Sequence, residues 1–463
     1  MQKKINYILS FKIIYLIHVL LAFNCFLFRI KLLDYTAIVI MIMGGILLIN
    51  RIRNAREYIS YKFLGILLLL LLSYVISTFF NWEYGIIGNI KGGVWMTFQF
   101  LLLYLLEPGK GKEERKKEVK IIATVFIIYT SVCSLLGVIM TFYAYGGRMN
   151  FDDGTGTFYG FVWGRLWGCY TDPNHGAIVT AVAIFLAIYL LESMKTKCMR
   201  ILLIGSIVFN YLYLVFSDSR SAKVSFTLGS MILIYLTLKV KFKISDLKNR
   251  MLHILSTLLL ALCVYASFGV VKDIYNYCVT EVEKTENIEE LEQKEEEGKS
   301  QSIGREKDIE GDYSNRRFDI WKSGVEIFEE NKIVGVGFRN ITSYANQEMP
   351  DTYIVNNDYG DFDSFHNVVI DVLVSQGVLG IILVFVLGIS VFIYAVKKMI
   401  FENKYLSLEC RILFVIVFIL AVDSMFISAI FYVNSPETVL FWMMLGYLVW
   451  FLNEREGCKQ CTN

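Results

Sequence analysis

The amino-acid sequence predicts an all-α integral membrane protein. Three observations support this fold class: the composition, the recurrence of long apolar segments and the placement of basic residues. Of the 463 residues 55% are hydrophobic, only 4 are proline, and the mean hydropathy is +0.51. A soluble chain of this length is far less apolar, because it needs a polar surface.

Apolar segments long enough to cross a bilayer as helices, about 17 to 25 residues each, recur along almost the whole chain. We predict about twelve spans, near residues 12–28, 35–50, 62–80, 93–106, 119–142, 174–191, 199–216, 222–238, 251–271, 367–396, 411–430 and 437–452. The first span follows MQKKINY without a small-residue cleavage site, so we expect an uncleaved helix. The chain then divides into residues 1–271 with nine spans, one large extracytoplasmic loop over 272–365, and residues 366–463 with three spans and a cytoplasmic tail.

The loops rich in Lys and Arg set the orientation, since cytoplasmic loops of membrane proteins are enriched in basic residues. With the N-terminus inside, every inside loop is basic, and only Arg29 and Lys31 oppose the pattern. We therefore expect both termini in the cytoplasm. The outside segment from Tyr143 to Pro173 crowds aromatic residues, which favours either an interfacial belt or stacking on sugar rings. The net charge of +2 is the sum of basic inside loops and near-neutral outside segments, and it does not indicate nucleic-acid binding.

The nine cysteines predict neither a disulfide framework nor a metal site. Most lie within spans or at inside ends, where thiols stay reduced. Cys169 and Cys278 are the only outside pair, and a bridge between them is an open alternative. Cys458 and Cys461 form a CxxC, but no second CxxC or nearby histidine completes a zinc set. We expect no metal and no cofactor.

The best candidate for a catalytic group is His366. The polar stretch from Lys272 to Phe365 runs directly into FHNVVIDVLVSQGVLG, so this histidine stands at the head of a predicted span. Imidazole titrates near neutrality, and an ionisable group at a membrane boundary is a functional candidate by default.

The loop before His366 has two parts of different composition. Residues Glu281 to Asp312 are highly charged and lack aromatics, which predicts a solvated helix or a mobile segment with no role beyond spacing. Beyond it, apolar residues at steps of three and four predict an amphipathic helix that lies on the membrane or on the spans. Its apolar positions are Phe318, Trp321, Val325 and Phe328. Ser314 or Asn315 can cap its start.

Basic residues collect at the outside boundary, where this chain otherwise carries little positive charge. They are Arg316 and Arg317 in the first turn of the amphipathic helix, Arg220 and Lys223 in SDSRSAK, and Arg165 and His175 in GRLWGCYTDPNHG. Cations at a helix N-terminus oppose the helix dipole, so a nearby anion would stabilise Arg316 and Arg317. The group therefore suggests an anionic ligand, and the alternative is that these side chains snorkel to lipid phosphate.

Several other polar residues have simpler interpretations. The DFD triplet at 361–363 has the form of the metal-binding DxD of nucleotide-sugar transferases, but nucleotide sugars are not available outside the cell. Asp363 is still a candidate for orienting the catalytic histidine or binding sugar. Asp423 lies within a span, where a structural ion pair and a functional role are equally open. His18 and His253 are expected to be buried or interfacial.

Three segments carry a family resemblance. SDSRSAKVSF resembles the serine-arginine-serine segment that opens the core domain of the O-antigen ligase and O-antigen polymerase family. NKIVGVGF and the helix before it resemble that family's loop signature, apart from a proline that often replaces Lys332 or Ile333. HNVVIDVLVSQGVLG matches the family pattern of histidine, asparagine, nine residues and two glycines three apart, here His366, Asn367, Gly377 and Gly380. Arg165 and Gly176 fit a looser pattern of arginine, ten residues and glycine described for polymerases, and the resemblance covers roughly residues 165–396.

The resemblance implies a bacterial protein of the cytoplasmic (inner) membrane with a glycosyltransferase-C-like helical architecture. It would act at the outer face on glycans carried by undecaprenyl pyrophosphate. Arg220, with Arg316 or Arg317, would clamp the pyrophosphate without a metal, and His366 would take the proton of the attacking sugar hydroxyl. The further candidates for substrate binding are Lys223, Arg165, His175, Trp321, Asn367 and Asp363.

Two classes of function stay open. One is an enzyme, either a polymerase of lipid-linked repeat units or a ligase that transfers the finished glycan to another acceptor; the other is a flippase. A flippase of this size should show repeated halves, whereas this chain is asymmetric, with its only large loop late in the sequence. Its richness in Lys, Ile and Asn suggests a low-GC bacterium, which with one membrane would lack a lipopolysaccharide acceptor, so we favour a capsule or surface-polysaccharide polymerase. The expected partners are the lipid-linked oligosaccharide, membrane lipid, and assembly proteins such as a flippase and a chain-length regulator, with no nucleic acid.

Overall fold

In a computed structural model, the chain forms a bundle of long helices. The structure describes residues 6–242, 247–283, 302–304, 316–358, 360–401 and 407–454. Within these ranges, eight helices are long and apolar enough to cross a membrane, and two shorter helices are also apolar. The chain is therefore a largely helical membrane protein, and the number of twelve crossings stays a prediction.

The helices coincide with the predicted spans. They are α1 (Tyr7–Ala22), α2 (Lys31–Arg53), α3 (Leu64–Phe80), α4 (Ile86–Phe98), α5 (Lys112–Phe142), α6 (Pro173–Ser193), α7 (Lys197–Phe216), α8 (Arg220–Lys241), α9 (Leu247–Glu283), α10 (Arg317–Glu330), α11 (Ile341–Glu348), α12 (Val368–Val396), α13 (Leu408–Asp423) and α14 (Pro436–Asn453). α4 and α12 continue as π-helical turns over Gln99–Tyr104 and Lys397–Phe401. Each predicted span overlaps one of α1–α9 or α12–α14, and α10 and α11 lie in the predicted outside loop.

The segment between α5 and α6 folds as a small antiparallel sheet that the all-α prediction did not include. Its strands are β1 (Gly146–Asn150), β2 (Gly156–Val162) and β3 (Arg165–Gly168), in the order β1-β2-β3. Phe158 on β2 packs against Trp163 and Trp167, with ring centroids 4.5 and 5.1 Å apart. The crowded aromatic residues thus stabilise a sheet, although Trp163 also stays 55% exposed.

Helices α6, α8, α12 and α14 begin at the same end of the bundle, where α5, α7 and α13 end; we call it the site end. There the amide of Val368 donates to the carbonyl of Ser424 at 2.9 Å and joins the start of α12 to the end of α13. α6 and α14 are strongly enclosed: 78% of the apolar window of α6 is buried, as is every residue of α14 except Trp450 and Asn453, whereas the figure is 17% for α2, α9 and α12. The site end is therefore held on a buried central helix, with lipid-facing helices around it.

α12 is broken at Gly377, whose backbone has φ 62° and ψ −159°. The NKIVGVGF segment lies across this break: the amide of Val336 donates to the carbonyl of Val374 at 2.9 Å, and that of Val378 donates to Lys332 at 2.8 Å. A Cβ at position 377 would meet the carbonyl oxygen of Ile333. The glycine is needed for both its backbone conformation and this close approach.

Part of the charged stretch is firmly held. Ile303 is 2% exposed, and both its amide and its carbonyl hydrogen bond the side chain of Asn276 on α9, at 2.7 and 2.8 Å. The amide of Gly304 donates to the carbonyl of Gly164 at 3.2 Å. The expectation of a solvated or mobile segment over Glu281–Asp312 is therefore wrong for residues 302–304, and residues 284–301 and 305–312 lie outside the described ranges.

Candidate active site

A polar cavity of about 300 Å³ opens at the site end. Its walls come from the start of α6, the start of α10, the residues just before α12 and the segment after α13. The lining residues are Asp172, Asn174, His175, Arg316, Arg317, Ile320, Phe362, His366, Phe426 and Ile427. The structure thus brings together four of the predicted site residues, namely His366, Arg316, Arg317 and His175.

His366 occupies an unusual backbone position, with φ 50°, that is fixed through its neighbour Phe365. The amide of Phe365 donates to Oδ1 of Asp371 at 2.8 Å, and its carbonyl accepts from Nε1 of Trp321 at 3.0 Å. The hydroxyl of Ser428 donates to the other carboxylate oxygen of Asp371 at 2.6 Å. A side chain in the left-handed region costs free energy, so these three contacts are what hold the histidine in place.

Asn367, the residue after the histidine, is the N-cap of α12. Its side-chain oxygen accepts from the amides of Val369 and Ile370 at 2.9 and 3.3 Å, and its Nδ2 donates to the carbonyl of Met425 at 3.0 Å. Asn367 is 6% exposed and does not line the cavity. Its contacts therefore position the histidine and do not reach a ligand.

The imidazole of His366 is accessible but sits in a recess surrounded by protein. Burial lowers its pKa from the ordinary 6.5, the positive charges of Arg317 and His175 lower it further, and the carboxylate of Asp172 opposes them. A lowered pKa leaves the ring neutral at pH 7. A neutral imidazole is able to accept a proton, as a general base must.

Arg316 and Arg317 stand at the start of α10. Arg316 is the N-cap, in place of the predicted Ser314 or Asn315, which lie outside the described residues, and its guanidinium is 3.6 Å from the carboxylate of Asp319. The guanidinium of Arg317 lies 5.8 Å from the ring centre of Phe426. Both arginines line the cavity where α6, α10 and α12 begin, and helix N-termini attract anions. The arrangement suits a phosphate-bearing ligand.

α10 packs onto the start of α12 through a face that includes two small residues. The buried residues are Ile320, Ser323, Gly324 and Ile327, whereas Phe318 and Val325 are 68% and 44% exposed. Gly324 packs directly against Ile370 and Phe365, and a Cβ there would collide with the Ile370 side chain. The small residues let α10 approach α12 closely, so close contact at the site outweighs burial of the larger side chains.

Arg165 supports the cavity from behind. It is 7% exposed, and it donates from Nε to the carbonyl of Ser217 at 2.8 Å and from Nη2 to the side chain of Asn174 at 3.0 Å. Asp172, the N-cap of α6, accepts the amides of Asn174 and His175. Burial raises the pKa of Asp172, but the charges of His175 and Arg165 and these amide bonds outweigh it and lower the pKa. The carboxylate is therefore an anionic part of the cavity wall.

Other predicted residues lie outside the cavity. Lys223 places its amine 3.9 Å from the ring centre of Tyr265, a position that does not favour a role in the clamp. Arg220 begins α8 and is half-buried. Asp363 is exposed, with Oδ1 3.5 Å from the hydroxyl of Thr342. Trp321 acts through the carbonyl of Phe365.

Four acidic residues near the cavity had no firm role in the sequence analysis, and three of them were missed. Asp371 and Glu437 lie in the first turns of α12 and α14, and each is buried. Both are carboxylates at the head of apolar segments, and the reasoning that singled out Asp423 within a span applies to them too. Asp172 could have been found from the Asp-Pro pair, a common helix start. Asp423 is 1% exposed and ends α13.

No group of three or more His, Cys, Asp or Glu residues is placed to hold a metal ion in the described part of the chain. In the DFD triplet, Asp361 accepts a hydrogen bond from Asn346 at 3.0 Å. Cys169 is buried, Cys278 is exposed, and neither forms a disulfide, so the open alternative of a bridge is wrong.

The fold and the cavity define a multi-pass membrane protein with a basic, histidine-bearing site at one end of its helix bundle. Residues 205–385, from α7 to α12, match the model of the family described as O-antigen ligase, and this match supports the family resemblance. The match and the apolar helices point to a multi-pass bacterial membrane protein of glycosyltransferase-like type. A comparison with curated proteins finds no match.

Proposed function

We propose that this protein is a polymerase that joins oligosaccharide repeat units carried on undecaprenyl pyrophosphate, at the outer face of the cytoplasmic membrane. The observation that carries the proposal is the shared cavity. A neutral His366 and the two guanidinium groups of Arg316 and Arg317 line the same 300 Å³ space. A base and an anion clamp are the two groups that the reaction requires.

The reaction has one chemical step. The acceptor sugar hydroxyl attacks the anomeric carbon of the donor and gives its proton to His366, while the bond from that carbon to the pyrophosphate oxygen breaks. The electron pair leaves with the pyrophosphate, whose negative charge the arginines stabilise by paired hydrogen bonds. Attack opposite the leaving group inverts the anomeric configuration, and the arginines supply the positive charge without a metal.

An apolar groove supports the assignment of a polyprenyl-linked donor. The groove has a volume of about 480 Å³ and runs between α12 and α13. It begins at Val368 and Met425, which are two residues after His366 and one residue before Phe426. A donor whose pyrophosphate lies beside Arg317 therefore has an apolar surface for its lipid tail directly below the reacting centre.

The second candidate function is transfer of the whole lipid-linked glycan to another acceptor, and the description of the matching family favours it. Both reactions use the same donor and the same base. They differ in the acceptor, which is a second lipid-linked repeat unit for a polymerase. The preference for polymerase rests on the richness of the chain in Lys, Ile and Asn. This composition suggests a low-GC bacterium with a single membrane.

The test is the profile of lipid-linked glycans in a deletion strain. Single repeat units on lipid are expected for a polymerase, and full-length chains on lipid would establish the ligase reaction instead. Complementation compares the wild-type protein with His366→Gln, and His253→Gln is the matched control because it makes the same change on lipid-facing α9. An unchanged surface polysaccharide in the deletion strain would refute both assignments.

A further inference from the structure

We propose that Glu437 holds His175 as an imidazolium, which donates a hydrogen bond from Nε2 to a phosphate oxygen of the ligand in the cavity. The inference rests on the proposed function, because it extends the pyrophosphate site. Both residues lie outside the family match at residues 205–385. They would add a cation on the side of the cavity opposite α10.

The geometry assigns the two ring nitrogens to different partners. Nδ1 of His175 lies 3.0 Å from Oε1 of Glu437. The edge of Phe23 packs against the ring, with centroids 5.3 Å apart, and limits its rotation. The ring lines the cavity and keeps 20% of its side-chain surface exposed. Since Nδ1 is engaged, Nε2 is the nitrogen that remains for a ligand.

The charges around His175 favour its protonated form. The carboxylate of Glu437 is 1% exposed and forms an ion pair with His175. Asp172 and Asp423, from the residue before α6 and from the end of α13, also attract a positive charge on the ring. A buried carboxylate without a counter-charge is strongly unfavourable, so Glu437 needs the imidazolium.

Two cations, Arg317 and Arg165, and the neutral His366 face the ring from other elements. Arg317 comes from α10, His366 precedes α12, and Arg165 lies on β3. Arg317 is half-buried and shares the cavity wall with His175, so the two cations would repel each other in an empty site. A dianionic pyrophosphate bridge between them removes this repulsion. The pyrophosphate that the reaction releases would thus stabilise the positive charges of His175 and Arg317.

The two histidines of the cavity therefore carry opposite charges in the reaction. Within the described ranges no carboxylate is hydrogen-bonded to the ring of His366, which acts as a neutral base, whereas His175 is paired with a buried acid and acts as a cation. Neighbours that separate the proton affinities of two similar groups are a common way to assign acid and base roles. His175 gives up no proton in the step; it only donates a hydrogen bond to the leaving phosphate.

The experiment measures binding of inorganic pyrophosphate to purified full-length protein in lipid nanodiscs. His175→Gln should weaken binding by about tenfold or more, the size expected for loss of one charge-assisted hydrogen bond. With Glu437→Gln, binding relative to wild type should fall as the pH is raised from about 6 to about 8, because the ring returns to ordinary titration. His253→Gln should bind like the wild type.

A further variant separates ligand binding from folding. His175→Gln with Glu437→Gln removes both charges and leaves no uncompensated buried carboxylate, so this double variant should accumulate normally. Wild-type affinity in the double variant, or no binding by the wild-type protein, would overturn the inference. The proposed function is judged separately, by the lipid-linked glycans of the deletion strain.

Discussion

The carboxylate of Asp371 accepts a hydrogen bond from the amide of Phe365 at 2.8 Å, one residue before His366. The position of the candidate base therefore depends on an acid buried in the first turn of α12. We expect Asp371→Ala to lower kcat about tenfold or more, because loss of both contacts lets the strained backbone relax. KM for the lipid-linked donor should change little, since Asp371 does not line the cavity.

Asp273→Asn is the matched control for Asp371, as an exposed acid on α9. Steady-state kinetics at equal amounts of membrane protein give kcat and KM separately. A change in KM alone, with kcat unchanged, would contradict the positioning role.

The pH dependence of the reaction rate should follow the fraction of His366 that is neutral. Because the pKa of His366 lies below 6.5, the rate should stay constant through neutral pH and decline only below about that value, as protonation removes the acceptor for the sugar proton. His366→Gln should lose about a hundredfold or more of the turnover. Its residual rate should show no acidic decline, and a decline of the wild-type shape would assign the titration to another group.

Arg317→Lys should reduce kcat/KM about tenfold or more, because an ammonium keeps the charge but cannot make the paired contact to phosphate oxygens. Lys322→Gln is the control on the same helix, since its side chain is 77% exposed and points away from the cavity. Arg220→Lys tests whether a guanidinium, and not only a positive charge, is also required at the start of α8. Equal kinetics for Arg317→Lys and the wild type would show that the cavity needs charge alone at this position.

Gly377→Ala should destabilise the protein by about 1 to 3 kcal/mol, since it combines a positive φ with a collision at the carbonyl of Ile333. Gly388→Ala lies on the same helix, and its added Cβ meets nothing within 4 Å. The control should be neutral or slightly stabilising, because alanine favours a helix. Thermal unfolding in detergent compares the two, and equal melting temperatures would show that the break in α12 carries no strain.

The orientation predicts accessible sites on opposite sides of the membrane. An Asp152→Cys variant, in the turn after β1, should react with an impermeant thiol reagent in intact cells. A Glu113→Cys variant, at the start of α5, should react only after lysis. Both positions are exposed in the structure, so burial does not limit the reaction. The reverse pattern would place the cavity in the cytoplasm.

The helices and the basic residues of the site were predictable from sequence, because both leave local signals. Apolar length identifies a span without knowledge of its neighbours. Arg316 and Arg317 are conspicuous because their charge opposes the dipole of their own helix. His366 follows from its place between a polar loop and an apolar run.

The parts that sequence reasoning missed depend on contacts between distant segments. Glu437 acquires its role only because α14 begins beside α6, 262 positions away in the chain. Periodicity identifies the large apolar residues of α10, whereas the close approach at Gly324 depends on Ile370 and Phe365, which are distant in the chain. Asp371 looked like one polar residue in an apolar span, and its contact with Phe365 depends on the turn at His366.

The contact of Ile303 with α9 divides the long polar stretch into two parts, one before this residue and one after it. Ile303 is held on α9 through Asn276, between the end of that helix at Glu283 and the start of α10 at Arg317. A change in the number of residues before Ile303 changes the length of a loop whose two ends are fixed. The cost of such a change grows only slowly with length. The length of the acidic segment before Ile303 can therefore vary while the contacts of Ile303 with Asn276 and of Gly304 with Gly164 stay in place.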